Sequence, residues 1–101
     1  MTSIDPKEVE EDRQRILALA NENFNGEAEV HRRFDPGTHG SHEAADRTFI
    51  MIENIESYIL NHPTVAMNKE CFRMVHEAHQ LLYEVYNNIA CADFPDEKEA
   101  K

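Results

Sequence analysis

The runs ADRTFIMIENIESYI (45–59) and CFRMVHEAHQLLYEVYNNI (71–89), set on either side of His62-Pro63, decide the fold. In the first, Ala45, Phe49, Ile52, Ile55 and Ile59 recur at spacings of three and four. In the second, Cys71, Val75, Ala78, Leu82, Val85 and Ile89 keep the same rhythm. That is the pattern of one apolar stripe per helix, each packing against another helix. The fold class is therefore all-α, an antiparallel helical hairpin over about 42–61 and 68–90. Ser41 is read as the N-cap of the first arm and Asn68 as that of the second. Pro63 breaks the chain between them, and Thr64 to Met67 form a tight connection.

Outward from the hairpin, Asp5-Pro6-Lys7-Glu8 is a helix start, with Asp5 as cap and Pro6 at the first helical position. The helix it opens is predicted over about 6–24, with Val9, Ile16, Leu17, Ala20 and Phe24 facing inward and Asn25-Gly26 as a left-handed stop. Glu27 to Arg33 reads as an extra charged turn. Phe34 to Gly40, with one Pro and two Gly, reads as a loop. Residues 93–101 read as a flexible acidic tail, and the whole of 1–101 as a single helical domain.

A chain of 101 residues buries a modest fraction of its surface when alone. Large residues also fall outside the two stripes, at Met51, Tyr58, Met74, Leu81, Tyr83 and Tyr86. Self-association into an oligomeric helical bundle is the expected remedy. Twenty acidic against ten basic residues give a formal charge of −10. Such a balance repels a phosphate backbone and excludes a general nucleic-acid binder, while suiting a basic protein partner. Cys71 and Cys91 lie on one predicted helix, about 30 Å apart at the helical rise, and are read as free thiols. With no signal peptide and no long apolar span, the chain is expected to be cytoplasmic and to stay off the membrane.

Chemistry concentrates near the start of the hairpin, where Arg32, Arg33, His39, Ser41, His42 and Arg47 make a basic cluster in an acidic protein. A helix start with free amides, a Gly-containing loop and nearby Arg side chains are the parts of a phosphate site. The competing reading pairs Arg32 and Arg33 with Glu27, Glu29 or Asp46. Six histidines include the pairs His39/His42 and His76/His79, with Asp46 one turn beyond His42, and these raise a metal reading. The Glu-x-x-His pattern of helical di-iron sites is absent, cysteine supplies no ligand pair, and neither metal nor cofactor is expected. His76 and His79 read instead as polar positions at the hairpin edge. No nucleophile and base, and no contrasting pair of carboxylates, stands out, so the chain is not expected to be an enzyme. Near the end of the second arm, Tyr83 and Tyr86 beside Asn87 and Asn88 offer groups that stack on and hydrogen-bond a base. Packing on the flank of the stripe is the plainer use of the two tyrosines.

The Arg-aromatic step Arg33-Phe34, the Pro-containing loop, the helix opening His42-Glu43-Ala44-Ala45-Asp46-Arg47, the turn at His62-Pro63 and the closing Asn87-Asn88-Ile89-Ala90 together resemble the helical-hairpin domain of phage anti-CBASS sponges. The resemblance covers about Arg32 to Ala92. It departs from the pattern at His42, where Tyr is usual, and at His62-Pro63-Thr64-Val65, where a more polar turn is usual. It implies a phage-encoded oligomer that sequesters a cyclic nucleotide immune signal in the host cytoplasm without cleaving it. It places Arg33, Phe34, His42 and Arg47 near the ligand, with Asn87 and Asn88 beside them. The alternative is an acidic protein-protein inhibitor or adaptor, whose carboxylates imitate nucleic acid and block a basic surface on a host protein.

Overall fold

The computed structural model describes residues 4–93, with side chains through Cys91. The acidic tail expected over 93–101 lies outside the described residues, apart from the backbone of Asp93. The described residues form five helices and no strand, so the protein is all-α. They are α1 (Pro6–Asn23), α2 (Glu27–Phe34), α3 (His39–Asn54), α4 (Pro63–Met67) and α5 (Lys69–Asp93), and α3 runs on into a π-helical segment, Ile55–Leu60. The chain divides into two units, Met1–Asp35 and Pro36–Lys101.

In the first unit, the Asp5 side chain accepts a hydrogen bond from the Lys7 amide at 3.0 Å and Pro6 occupies the first helical position, as read from sequence. Phe24 closes α1, and Asn25 and Gly26 then take φ of 64° and 110°. Gly26 tolerates this left-handed turn because it has no Cβ. The extra turn expected after it is a complete two-turn helix, α2, which packs on α1. The inward face expected of α1 is not buried. Val9, Ile16 and Leu17 are exposed, and Ala20 and Phe24 are half-buried. The reason is length, since eight residues of α2 span about 12 Å against about 27 Å for α1.

In the second unit, α3 and its π-helical continuation pack along α5, and α4 packs on both. The start of α3 differs from expectation. Thr38 is the N-cap, its hydroxyl accepting from the Ser41 amide at 3.2 Å, so the helix begins at His39 and Ser41 lies buried within it. The other local signals hold: the Asn68 side chain accepts from the Cys71 amide at 3.0 Å, and Pro63 opens α4 behind His62, whose Nδ1 accepts from the Thr64 amide.

The buried face of α3 runs Ser41, Ala45, Thr48, Ile52 and Ile55, and Ile52, at 1% exposure, is its centre. The stripe was expected to continue to Ile59, but Leu60 is the half-buried residue and Ile59 stands exposed. The π turn causes the shift, because an i→i−5 bond such as Asn61 N–H to Glu56 C=O admits one extra residue. On α5 the covered positions are Cys71, Val75, His79, Leu82, Tyr86, Ile89 and Ala90. Ala78 and Val85, expected in this stripe, are exposed, and His79 and Tyr86 occupy the seam in their place. Ala45 and Ile52 are the only apolar residues fully buried among the described residues. Cys71 is half-buried and Cys91 exposed, both as free thiols.

Candidate functional site

The chain reversal at Asn25-Gly26 folds α2 back so that residues ten apart in sequence meet. The Phe34 ring sits edge-on to Phe24, with centroids 5.1 Å apart and planes inclined at 72°. The Arg33 guanidinium lies over the Phe24 ring at 5.2 Å. An edge-to-face pair with a cation on one face is favourable for both rings. Phe34 nonetheless keeps 42% of its surface exposed. The sequence reading selected Arg33 and Phe34 and missed Phe24, which it assigned to the face of α1. The signal that could have found it is the aromatic on each side of the Asn25-Gly26 stop.

Carboxylates surround these cations. Glu29 accepts from Arg33 Nε at 2.8 Å and from both Nε and a terminal nitrogen of Arg32. Those hydrogen bonds, from Arg32 first and then Arg33, hold its carboxyl down to about 2. His31 lies 2.8 Å from an Asp35 oxygen and 3.7 Å from Glu27, and the Asp35 contact raises its pKa. Ion pairs at the surface hold their partners weakly, so Glu29 does not lock the Arg33 guanidinium in place. Beside them, Gln14, Leu17, Asn21, Val30 and His31 line a 330 Å³ groove between α1 and α2.

The remaining expected site residues belong to the second unit. Arg47 pairs with Glu43 one turn earlier, at 3.5 Å. His42, Asn87 and Asn88 are exposed. The anion cradle expected at the amides of Ser41 and His42 is not there, because helix α3 begins earlier. The Ser41 amide donates to the Thr38 hydroxyl and the His42 amide to the Thr38 carbonyl at 3.1 Å.

The histidine pair on α5 belongs to an aromatic row. Phe72 and His76 are 6.0 Å apart by centroid, His76 and His79 6.5 Å, and His79 and Tyr83 5.4 Å. His79 is not the edge position expected: it is half-buried in the seam, and its Nε2 is buried without a hydrogen-bond partner. No group of three or more His, Cys, Asp or Glu able to hold a metal ion occurs among the described residues. None of the described helices is long and apolar enough to cross a membrane.

Comparison with protein-family models finds no match, and neither does comparison with curated proteins or with solved structures.

Proposed function

We propose that the chain is a non-enzymatic binding protein, built on an antiparallel helical hairpin and working as a homo-oligomer, that sequesters a small phosphorylated ligand such as a cyclic nucleotide. The observation that carries the ligand class is the Phe24, Arg33, Phe34 group. It sets the Arg33 guanidinium over the half-buried Phe24 ring and the exposed Phe34 ring edge-on to Phe24, so a cation and a free aromatic surface share one ring, the parts that a base attached to a phosphate requires. Self-association is supported by a core of two fully buried apolar residues among those described, too small to hold a lone hairpin together. By the resemblance, Arg47 and His42 on α3, and Asn87 and Asn88 on α5, are a separate set of candidate ligand contacts within the second unit. The resemblance to anti-CBASS sponges extends this reading to a phage-encoded anti-defence protein acting in the host cytoplasm.

Native mass spectrometry with a panel of cyclic di- and trinucleotides tests it. The expected result is a defined oligomer that gains nucleotide mass, with the gain lost in Arg33→Ala and Phe34→Ala and weakened in Arg47→Ala. An oligomer that takes up none of the panel overturns the ligand class.

One feature favours a second reading. Helix α1 has no buried residue and exposes Val9, Ile16 and Leu19 along one side with Glu8 and Asp12, the latter paired with Arg15, while Glu10 and Glu11 lie on its other sides. An apolar and acidic helix face suits a host protein with a basic groove, in the manner of an inhibitor or adaptor. Binding of that kind weakens steeply with salt, and a partner that stays bound at molar salt argues against it.

A further inference from the structure

The seam between α3 and α5 leaves a second apolar stripe on each helix. On α5, Met74, Ala78, Leu81 and Val85 repeat the four-three-four spacing of the seam, displaced round the helix, and all four are exposed, Leu81 at 61%. On α3, Ala44, Thr48, Met51 and Ile55 have the identical spacing. Thr48 and Ile55 lie half-buried at the seam's edge, while Ala44 and Met51 are exposed. At about 100° per residue, each stripe lies to the same rotational side of its own helix's seam. In an antiparallel pair that puts both stripes on one face of the hairpin. Phe49, Phe72 and Tyr83 fall on the opposite face by the same arithmetic.

We infer that this face, Ala44/Thr48/Met51/Ile55 with Met74/Ala78/Leu81/Val85, is where a second copy of the chain packs to complete a four-helix bundle. The inference rests on the homo-oligomer reading above and adds the surface to it. Shape, area and continuity with the core commit the face to a second copy.

The first is complementarity of shape. A two-fold contact needs a patch that fits itself, and this one alternates hollows at Ala44, Thr48 and Ala78 with knobs at Met51, Met74 and Leu81. Methionine at two of the three knobs adapts to the facing hollows.

The second is area. Each stripe runs about 16 Å along its helix and the two helix axes lie about 9 Å apart. With helices about 10 Å in diameter the face is about 20 Å wide and roughly 300 Å² in projection, so joining two such faces with their rims approaches the ~1,200 Å² of accessible surface at which stable interfaces begin.

The third is continuity. Thr48 and Ile55 belong to the seam and the stripe at once, so the second copy extends the existing core instead of opening another. The Thr48 hydroxyl already donates to the Ala44 carbonyl at 2.8 Å, which lets it enter an apolar contact with its donor satisfied.

Sedimentation velocity on the full chain, as wild type, Leu81→Glu and Phe72→Glu, tests the assignment, with far-ultraviolet circular dichroism to check that the helices persist. Leu81→Gln is the milder companion should the charge unfold the protein. The expected result is that Leu81→Glu or Leu81→Gln raises the concentration of half-association at least tenfold while Phe72→Glu leaves it unchanged. A monomeric wild type overturns both this inference and the oligomer reading. A wild-type oligomer that survives both Leu81 changes overturns the face alone, as does one that dissociates only with Phe72→Glu, which would place the contact on the aromatic side.

Discussion

The ring of Phe49 on α3 stands 5.4 Å from that of Tyr86 on α5, centroid to centroid, with the planes inclined at 51°. It is a tilted aromatic contact made by two helices whose shared core is otherwise small, so it carries a large share of their association. Tyr86→Ala is expected to destabilise the protein by about 2 kcal/mol, below the ~3–5 kcal/mol of a fully buried aromatic because Tyr86 is half-covered. Tyr58→Ala, at a ring 72% exposed, is expected to change stability by under about 0.5 kcal/mol. Urea unfolding of the two variants separates the positions. Equal losses would mean that Tyr86 does not hold the seam.

His79 occupies a seam position with its Nε2 buried and unpartnered. A buried ring nitrogen without a hydrogen bond forfeits the solvation it had in the unfolded chain, at about 1–3 kcal/mol. His79→Leu keeps the volume and removes the orphaned atom, so it is expected to raise the urea midpoint, by the equivalent of about 1 kcal/mol. His76→Leu, at an exposed position, is expected to be near neutral. A lower midpoint for His79→Leu would show that this nitrogen has a partner in solution.

Apart from the cap read at Ser41, local signals were legible in the sequence and long-range register was not. Asp5, Asn25-Gly26, Pro63 and Asn68 act within three residues of themselves, and each does in the structure what its type suggests. The seam on α5 was misread at two positions because Ala78 and Val85 satisfy the same four-three rhythm as His79 and Tyr86. Hydrophobicity preferred the first pair, while packing against α3 chose the second. The π turn after Asn54 leaves no trace in hydrophobic periodicity, so Ile59 was placed inside and Leu60 overlooked. At the candidate site, Arg33 and Phe34 were visible as neighbours in sequence. Phe24 joins them only through the reversal at Gly26, which a one-dimensional pattern does not display.

Thr38 caps α3 where Ser41 was read as the cap. Removing a capping hydroxyl leaves an amide of the first turn without its acceptor, so Thr38→Ala is expected to cost about 1 kcal/mol and Thr38→Ser to retain most of the stability. Amide exchange at Ser41 reads the effect locally and should accelerate in the alanine variant alone. Unchanged exchange in Thr38→Ala would return the helix start to Ser41, and with it the amides that an anion would need.

Helix α2 has a pH window set by two of its own side chains. Glu29 is held down to about 2 from an ordinary 4.5 by Arg32 and Arg33, so its contribution is full above 4.5 and is lost as pH falls toward about 2. His31 is shifted the opposite way, raised from 6.5 by the hydrogen bond to Asp35 and then by Glu27. Its contribution is full below 6.5 and is lost as pH rises through the raised value. Both conditions hold together between 4.5 and 6.5, where α2 is expected to be best formed. Because the pairs are exposed, the effect is small and fades with salt. Backbone amide shifts of Glu27 to Phe34 followed from pH 2 to 8 at low ionic strength should show this plateau, and Asp35→Asn should move its upper edge down toward 6.5. The Arg33 guanidinium is bound to Glu29 throughout the plateau, so a phosphorylated ligand must displace that carboxylate there. Protonating Glu29 releases the guanidinium without its partner. Ligand affinity is therefore expected to stay level down to about pH 3 and to rise, rather than fall, only as pH approaches about 2, provided the oligomer persists. Affinity that instead falls in step with helix loss would separate Arg33 from the ligand.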